Sequence, residues 1–73
     1  MQEIIKIISE HLDVDQSKIT PSSNLIDDLN ADWLDIPEIV IACEEKYTIH
    51  IEDSVTESIK TVQDLITAVE NKK

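Results

Sequence analysis

Residues 29–38 read LNADWLDIPE and mark the point where a long polar loop passes into a helix. The position of Pro37 limits where that helix begins. If Trp33 were the first helical residue, Pro37 would remove the hydrogen bond to the Trp33 carbonyl and crowd it, at a cost of ~3 kcal/mol. A start at Asp35 avoids this cost, because the N–H groups of the first turn have no intrahelical partner. We therefore predict a helix that begins late, at Asp35, where Asp35 and Glu38 resemble a capping box.

The segments before this stretch predict one helix and one long loop. Residues 1–12 carry Ile4, Ile8 and Leu12 at four-residue intervals, which is typical of a helix with one apolar face. Residues 13–32 are mostly polar, and their aliphatic residues have no regular period. We expect an ordered loop held against the core by its spaced aliphatic side chains, which are Val14, Ile19, Leu25, Ile26 and Leu29.

The helix that begins at Asp35 is apolar on more than one side. Its inner side is expected to carry Ile36, Ile39, Val40, Cys43 and Tyr47. Ile41 and Ala42 extend the apolar surface around the helix, so part of that surface must face something other than the core. The helix is expected to end at residues 47–48.

Two further helices are predicted after it. Residues 53–59 have a plausible acidic N-cap in Asp53 and form a short helix. Thr61 is the predicted N-cap of the last helix, and the basic residues 72–73 lie near the negative end of its dipole. The apolar residues of this last helix have the spacing i, i+3, i+4, i+7, and they are Val62, Leu65, Ile66 and Val69. The chain is therefore expected to be all-α, a small antiparallel bundle with three main helices, one short helix and a long first loop.

Composition limits the classes of function. With 73 residues, we expect one domain spanning residues 1–73, with little room for an internal active site. The formal net charge of −10 disfavours nucleic acid and anionic membranes and favours basic protein surfaces. A single cysteine allows no internal disulfide, and no apolar run approaches the roughly 20 residues that span a bilayer. We expect a soluble, cytoplasmic chain that does not insert into membranes.

A pattern that covers essentially the whole chain is carried by residues 12–14, 19–21, 25–29, 31–32, 34–35, 38–40, 44–47 and 60–65. It resembles the acyl carrier protein family, which has the same bundle topology and the same long first loop. The family's motif reads Leu-Gly-Ala-Asp-Ser-Leu-Asp-x-x-Glu, and its serine carries 4′-phosphopantetheine as a phosphodiester. In this chain Asn30 stands where the family has glycine, Trp33 stands where it has serine, and Pro37 lies in the first turns of the helix.

The resemblance implies a role in fatty-acid, polyketide or related acyl metabolism. The residue at the attachment position, however, does not support attachment of the family's prosthetic group. Attachment of the arm needs a hydroxyl that a base can deprotonate, whereas the indole of Trp33 offers only a non-nucleophilic N–H. Asp32 and Leu34 flank this position. We therefore expect a carrier homologue without a prosthetic group, and not an enzyme. The alternative is a working carrier whose native serine was replaced by Trp33, and 4′-phosphopantetheine is expected only in that case.

The second helix is predicted to bind a partner. In the family this acidic and apolar helix docks onto basic patches of acyl-metabolism enzymes, and a solvated acidic face is the ordinary alternative. Trp33 could be a lid over the core, an anchor for a partner, or a contact for weak self-association of an otherwise monomeric chain. The predicted partner-binding residues are Asp32, Trp33, Asp35, Glu38, Val40, Ile41, Glu44 and Glu45.

Other chemistry is not predicted. No catalytic triad or acid–base pair is visible in the sequence. His11 and His50 have no cysteine, histidine or paired carboxylate at ligand spacing, so we interpret them as ordinary surface residues and predict no metal site. Cys43 is expected on the inner side of its helix, where a buried thiol without a cationic neighbour stays protonated.

Overall fold

The computed structural model describes residues 2–72. Its four α-helices are α1 (Gln2–Leu12), α2 (Asp35–Tyr47), α3 (Asp53–Ser58) and α4 (Val62–Glu70), and a 3-10 turn (Gln16–Lys18) lies in the loop after α1. Helix α2 is central, because it packs against α1, α3 and α4. The predicted all-α bundle with one short helix is confirmed. The predictions that concerned Met1 and Lys73 lie outside the described residues.

Helices α1 and α2 run antiparallel, as two contacts between their opposite ends show. The hydroxyl of Tyr47, at the end of α2, donates to Glu3 Oε2 near the start of α1 at 3.2 Å. At the other end of the pair, His11 Nε2 lies 3.0 Å from Glu38 Oε2. This arrangement brings the last turn of α1 beside the first turn of α2.

The core is aliphatic, and neither Trp33 nor Tyr47 belongs to its buried residues. Four predicted inner residues of α2 are buried, namely Ile36, Ile39, Val40 and Cys43, while Tyr47 packs against the core from its edge. The most deeply buried side chains come from three helices and the loop, and they are Ile8, Leu25, Ile39, Cys43, Val62, Leu65 and Val69. A bundle this small thus draws on its loop to complete the core.

The long first loop is ordered in two ways. Ile19, Leu25 and Leu29 are buried in the core, as the sequence predicted, while Val14 and Ile26 are partly buried. Its backbone is also bonded to the start of α4, because Leu25 N–H donates to the Lys60 carbonyl at 2.9 Å. Two hydrogen bonds run in the opposite direction, from the N–H groups of residues 62 and 63 to the loop carbonyls of residues 23 and 21, at 3.0 and 2.8 Å. These contacts hold the loop in place, and its last residues lead directly into α2.

The starts of α3 and α4 differ in their caps. Thr61 is the N-cap of α4, and its hydroxyl accepts from Asp64 N–H at 3.1 Å while Asp64 Oδ2 accepts from Thr61 N–H at 3.1 Å. The predicted N-cap of α4 is confirmed, and it belongs to a full capping box. The predicted cap of α3 is wrong, because Glu52 occupies the N-cap position and Asp53 is already helical.

Candidate functional site

Helix α2 begins at Asp35, as the position of Pro37 predicted. The expected capping box between Asp35 and Glu38 is wrong, because the N-cap is Leu34 and carries no side-chain bond. Asp35 instead reaches back to the approach segment, where its Oδ2 accepts from Asp32 N–H at 2.8 Å. The N–H of Asp35 donates to the Asp32 carbonyl at 3.0 Å, so residues 32–35 form a closed turn ahead of the helix.

The turn that precedes this approach ends at Asn30. Asn30 has a positive φ of 61°, a conformation that asparagine adopts more readily than most residues other than glycine. Asn30 N–H donates to the Ile26 carbonyl at 3.1 Å and Ala31 N–H to the Leu25 carbonyl at 2.9 Å. These two bonds close the turn around Asn30, which holds the left-handed position. Asparagine therefore supplies the bend where the resembling family has glycine.

An exposed apolar strip runs from the approach turn onto α2. Trp33 is 77% exposed, Leu34 74% and Ile41 52%. Pro37 connects Trp33 with Ile41, because it lines one cleft with Trp33 and a second with Ile41, and Leu34 directly follows Trp33 in the chain. We call Trp33, Leu34, Pro37 and Ile41 the apolar strip. The exposure of Trp33 excludes its interpretation as a lid folded over the core.

Two depressions are lined in part by Trp33. One has a volume of about 140 Å³ and lies between the start of α2 and α3, lined by Trp33, Ile36, Pro37, Thr56, Glu57 and Ile59. The other, of about 260 Å³, is bounded by Trp33 and by residues of the first loop and the link to α4. Both are below the roughly 300–1,000 Å³ of typical small-molecule pockets. This region therefore suits contact with a protein surface better than capture of a small ligand.

The acidic residues predicted to lie beside the apolar strip differ in solvent exposure and in hydrogen bonding. Asp32, Glu38 and Glu45 are exposed and Asp35 is partly exposed. Glu44 holds the link after α2, because its Oε2 accepts from Ile51 N–H at 2.7 Å and lies 3.4 Å from His50 Nδ1. The inclusion of Val40 among partner-binding residues is wrong, since it is only 3% exposed. Val40 lies on the inner side of α2, where the apolar pattern of the helix had also placed it.

The stretch that resembles the family's attachment motif contains no nucleophilic hydroxyl or thiol side chain. Residues 29–38 contain no serine, threonine, tyrosine or cysteine. Thr56 borders the cleft at Trp33, but its hydroxyl lies 3.3 Å from the Glu52 carbonyl, to which it donates. Ser22 and Ser23 lie in the loop, where their hydroxyls are paired with Thr20 Oγ1. The residues present at this position therefore do not fit covalent attachment of 4′-phosphopantetheine.

Cys43 cannot act as a replacement carrier. It is buried in the core, and that burial, with a smaller contribution from Glu44, raises the pKa of its thiol to about 11. A thiol in this state is protonated near neutral pH and unreactive. The prediction of a buried, protonated cysteine agrees with the structure.

The interpretation of His11 as an ordinary surface residue missed a tertiary contact. His11 Nε2 lies 3.0 Å from Glu38 Oε2 and 4.0 Å from Asp35 Oδ1. These three side chains come from two helices that are separated by the long loop. The signal in the sequence was the i, i+3 pair of carboxylates on α2, which share one helix face. Only the antiparallel packing of α1 brings the histidine to that pair.

A four-helix bundle with a long first loop, and with its candidate site at the start of the second helix, defines the class of small helical carrier domains. The family profile described as "Phosphopantetheine attachment site" matches residues 2–69. The chain therefore belongs to the acyl carrier protein family, whose members are carrier proteins of acyl metabolism and not enzymes.

Individual relatives agree with this assignment. The chain is 43% identical over 72 residues to an acyl carrier protein of Helicobacter hepaticus, covering 99% of this chain and 95% of that protein. It is 48% identical over 63 residues to an acyl carrier protein of Syntrophobacter fumaroxidans, covering 86% and 78%. A solved structure of a candidate acyl carrier protein from Mycobacterium tuberculosis is similar with a TM-score of 0.90, at 31% identity, covering 96% of this chain and 93% of that one.

The helices give no sign of a membrane span. Within the described part of the chain, none is both long and apolar enough to cross a bilayer.

Proposed function

We propose that this chain is an acyl carrier protein homologue without a prosthetic arm, and that it acts as an acidic protein-interaction module in acyl metabolism. The observation that carries the proposal is Trp33. It stands at the position that the resemblance gives to the attachment serine, and its side chain is 77% exposed. An indole cannot accept the phosphopantetheine group, but an exposed tryptophan is a common anchor at protein interfaces.

The proposed docking surface is the apolar strip with the exposed carboxylates beside it. Asp32, Glu38 and Glu45 supply negative charge, and a net charge of −10 adds a long-range attraction to basic surfaces. Large exposed apolar side chains that lie together are uncommon on chains that bind nothing. The proposed partner is an enzyme of fatty-acid, polyketide or related acyl metabolism with a basic patch. We place this binding in the cytoplasm.

The absence of the arm is tested by intact mass. The chain is incubated with coenzyme A and a carrier-protein phosphopantetheinyl transferase, beside a serine-containing carrier that serves as the positive control. We expect the control to gain the mass of one phosphopantetheine group and this chain to gain none. A gain of that mass would show that another residue accepts the arm, and the proposal would fail.

The alternative is a working carrier whose serine was replaced by Trp33. The amino acid that the natural protein has at position 33 distinguishes this alternative from the proposal. Mass spectrometry of the protein isolated from its source organism reads the residue directly. A serine there, with the arm attached, would establish the alternative.

Docking is tested by charge reversal at matched positions. Binding of the chain to purified fatty-acid synthesis enzymes is measured as a function of salt, first for the unchanged chain. For an enzyme that binds, Trp33→Ala and Glu45→Lys should each raise the Kd by about tenfold. Glu70→Lys changes the net charge equally but lies on the exposed side of α4, so it should have a much smaller effect. Equal losses from Glu45→Lys and Glu70→Lys would indicate attraction by net charge without a docking surface.

A further inference from the structure

The side chains of His11, Asp35 and Glu38 form a cluster, of which the proposed docking surface uses only the negative charge of Glu38. One potential ligand atom from each residue lies within 4.8 Å of the other two. His11 is in the last turn of α1, and the two carboxylates are in the first turn of α2. We propose that this cluster binds one divalent transition-metal ion of the zinc class, which joins the end of α1 to the start of α2.

The separations of the ligand atoms suit such an ion. Zinc bonds to histidine nitrogen and carboxylate oxygen at about 2.0–2.2 Å in tetrahedral geometry, which places neighbouring ligand atoms about 3.3 Å apart. The observed separations from His11 Nε2 are 3.0 Å to Glu38 Oε2 and 4.0 Å to Asp35 Oδ1, and these values bracket that distance. The two carboxylate oxygens lie within 4.8 Å of each other, so we expect small side-chain rotations to bring the three atoms to ligand positions.

A hydrogen bond orients one ligand of the cluster, and solvent exposure lets an ion reach it. Asp35 Oδ2 accepts the Asp32 N–H at 2.8 Å, which orients the carboxylate and leaves Oδ1 on the side of His11. Hydrogen bonds of this kind from outside the ligand set fix ligating groups and raise metal affinity. The side chains of His11 and Asp35 are partly exposed and that of Glu38 is exposed, so an ion can reach the cluster and water can complete its coordination.

The ligand types favour a transition metal over calcium or magnesium. An imidazole with two carboxylates suits Zn²⁺ and its first-row neighbours. Ca²⁺ and Mg²⁺ take oxygen ligands, so a histidine in the cluster should not increase the affinity for either ion. The net charge of −10 attracts any cation, so affinity alone does not identify the site. Dependence on His11 distinguishes a coordinated ion from a diffuse counterion.

The second histidine offers a matched control. His50 Nδ1 lies 3.4 Å from Glu44 Oε2, but it does not belong to the three-residue cluster found in the described part of the chain. His11→Gln and His50→Gln remove the same chemical group from the same protein. Likewise, Glu38→Gln removes a proposed ligand, whereas Glu45→Gln removes one exposed charge from the same helix.

The experiment is calorimetric titration of the whole chain with ZnCl₂ at physiological ionic strength, in a buffer that does not bind zinc. Circular dichroism of every variant verifies the fold. We expect one ion per chain, and a Kd that rises at least about tenfold in His11→Gln and in Glu38→Gln. His50→Gln and Glu45→Gln should bind as the unchanged chain does. Zinc binding should persist in excess MgCl₂ or CaCl₂.

A nuclear magnetic resonance titration gives an independent readout. Zinc below one equivalent should shift or broaden the imidazole signals of His11 before those of His50. Equal effects at both histidines, equal Kd values for the paired variants, or displacement of zinc by equal concentrations of magnesium would each overturn the proposal. These measurements use the isolated chain, so their outcome does not depend on whether the proposed docking partner exists.

Discussion

Asp32 and Asp35 are joined by two reciprocal hydrogen bonds at the start of α2. Asp32 N–H donates to Asp35 Oδ2 at 2.8 Å, and Asp35 N–H donates to the Asp32 carbonyl at 3.0 Å. The closed turn holds Trp33 and Leu34 outside the helix, where both are exposed. Any chemistry restored at position 33 would therefore occur on this turn and not within the regular helix.

A serine at position 33 should not by itself make this chain an efficient carrier. Trp33→Ser recreates the Asp-Ser-Leu sequence, but Pro37 should keep the start of α2 at Asp35. Displacement of a nucleophile by about 1 Å can cost about 10²-fold in rate. We expect a phosphopantetheinyl transferase to modify Trp33→Ser slowly, and the Trp33→Ser, Pro37→Val double variant much faster.

Single-turnover labelling followed by intact mass measures these rates. A third variant that adds Asn30→Gly to Trp33→Ser is the control for the second departure from the family motif. It should help less than Pro37→Val, because Asn30 already adopts the positive φ of 61°. Ordinary and equal rates for the single and double variants would show that Pro37 does not matter.

Removal of the Trp33 side chain should hardly change stability. Trp33 is 77% exposed, and substitutions at such positions usually change the free energy of unfolding by less than about 0.5 kcal/mol. Leu65→Ala is the contrasting variant, because Leu65 is fully buried and such truncations cost about 2–5 kcal/mol. Urea denaturation measures both. A large loss of stability in Trp33→Ala would show that the indole packs on the core after all.

Thr48→Gly should stabilise the protein. Thr48 ends α2 in the left-handed conformation, with φ 56° and ψ 53°, which is unfavourable for a β-branched residue. The sequence contains no glycine, and glycine adopts this conformation without the steric cost of about 1–2 kcal/mol. We expect the thermal midpoint to rise by several degrees. Thr67→Gly, within α4 and exposed, should lower it, since glycine disfavours a helix interior.

Asp64 should make stability depend on acid pH. The N–H groups of Lys60 and Thr61 donate to its carboxylate and lower the pKa of Asp64 below its ordinary value of 3.8. A carboxyl whose pKa is lower in the folded state stabilises the fold above the unfolded pKa. That contribution is lost as the pH falls below 3.8 and through the folded pKa.

Urea denaturation of Asp64→Asn at pH 7 and pH 3 measures this effect. At pH 7 we expect a loss of about 1 kcal/mol, typical of a disrupted helix cap, and at pH 3 a clearly smaller loss. Glu57→Gln, an exposed residue of α3, corrects for the change in net charge. A loss of equal size at both pH values would contradict the assigned role of the ionised carboxylate.

Added salt should raise the thermal midpoint. With a net charge of −10, repulsion among the carboxylates opposes the compact state, and salt screens it. Sodium chloride is the suitable reagent, because a divalent salt would also report on specific metal binding. A midpoint that falls as sodium chloride increases at neutral pH would contradict this expectation.

Much of this protein was determined by local sequence. The start of α2 follows from Pro37, since the missing N–H and the ring exclude an earlier start. The N-cap at Thr61 and the tolerance of positive φ at Asn30 depend on side chains within a few residues. The helical period also predicted the buried face that carries Ile39 and Cys43. These features depend on interactions between near neighbours in the chain, so the sequence pattern records them.

The tertiary structure decided the features that depend on which helices meet. The broad apolar surface of α2 left Val40 assignable to the core or to the docking side, and packing buried it. The Glu44 carboxylate was expected on a binding surface, yet it accepts the Ile51 N–H. Trp33 could have covered the core, but the turn at Asp32 and Asp35 leaves it in solvent. His11 meets Asp35 and Glu38 only because α1 and α2 pack antiparallel across a long loop, and no spacing along the chain encodes that contact.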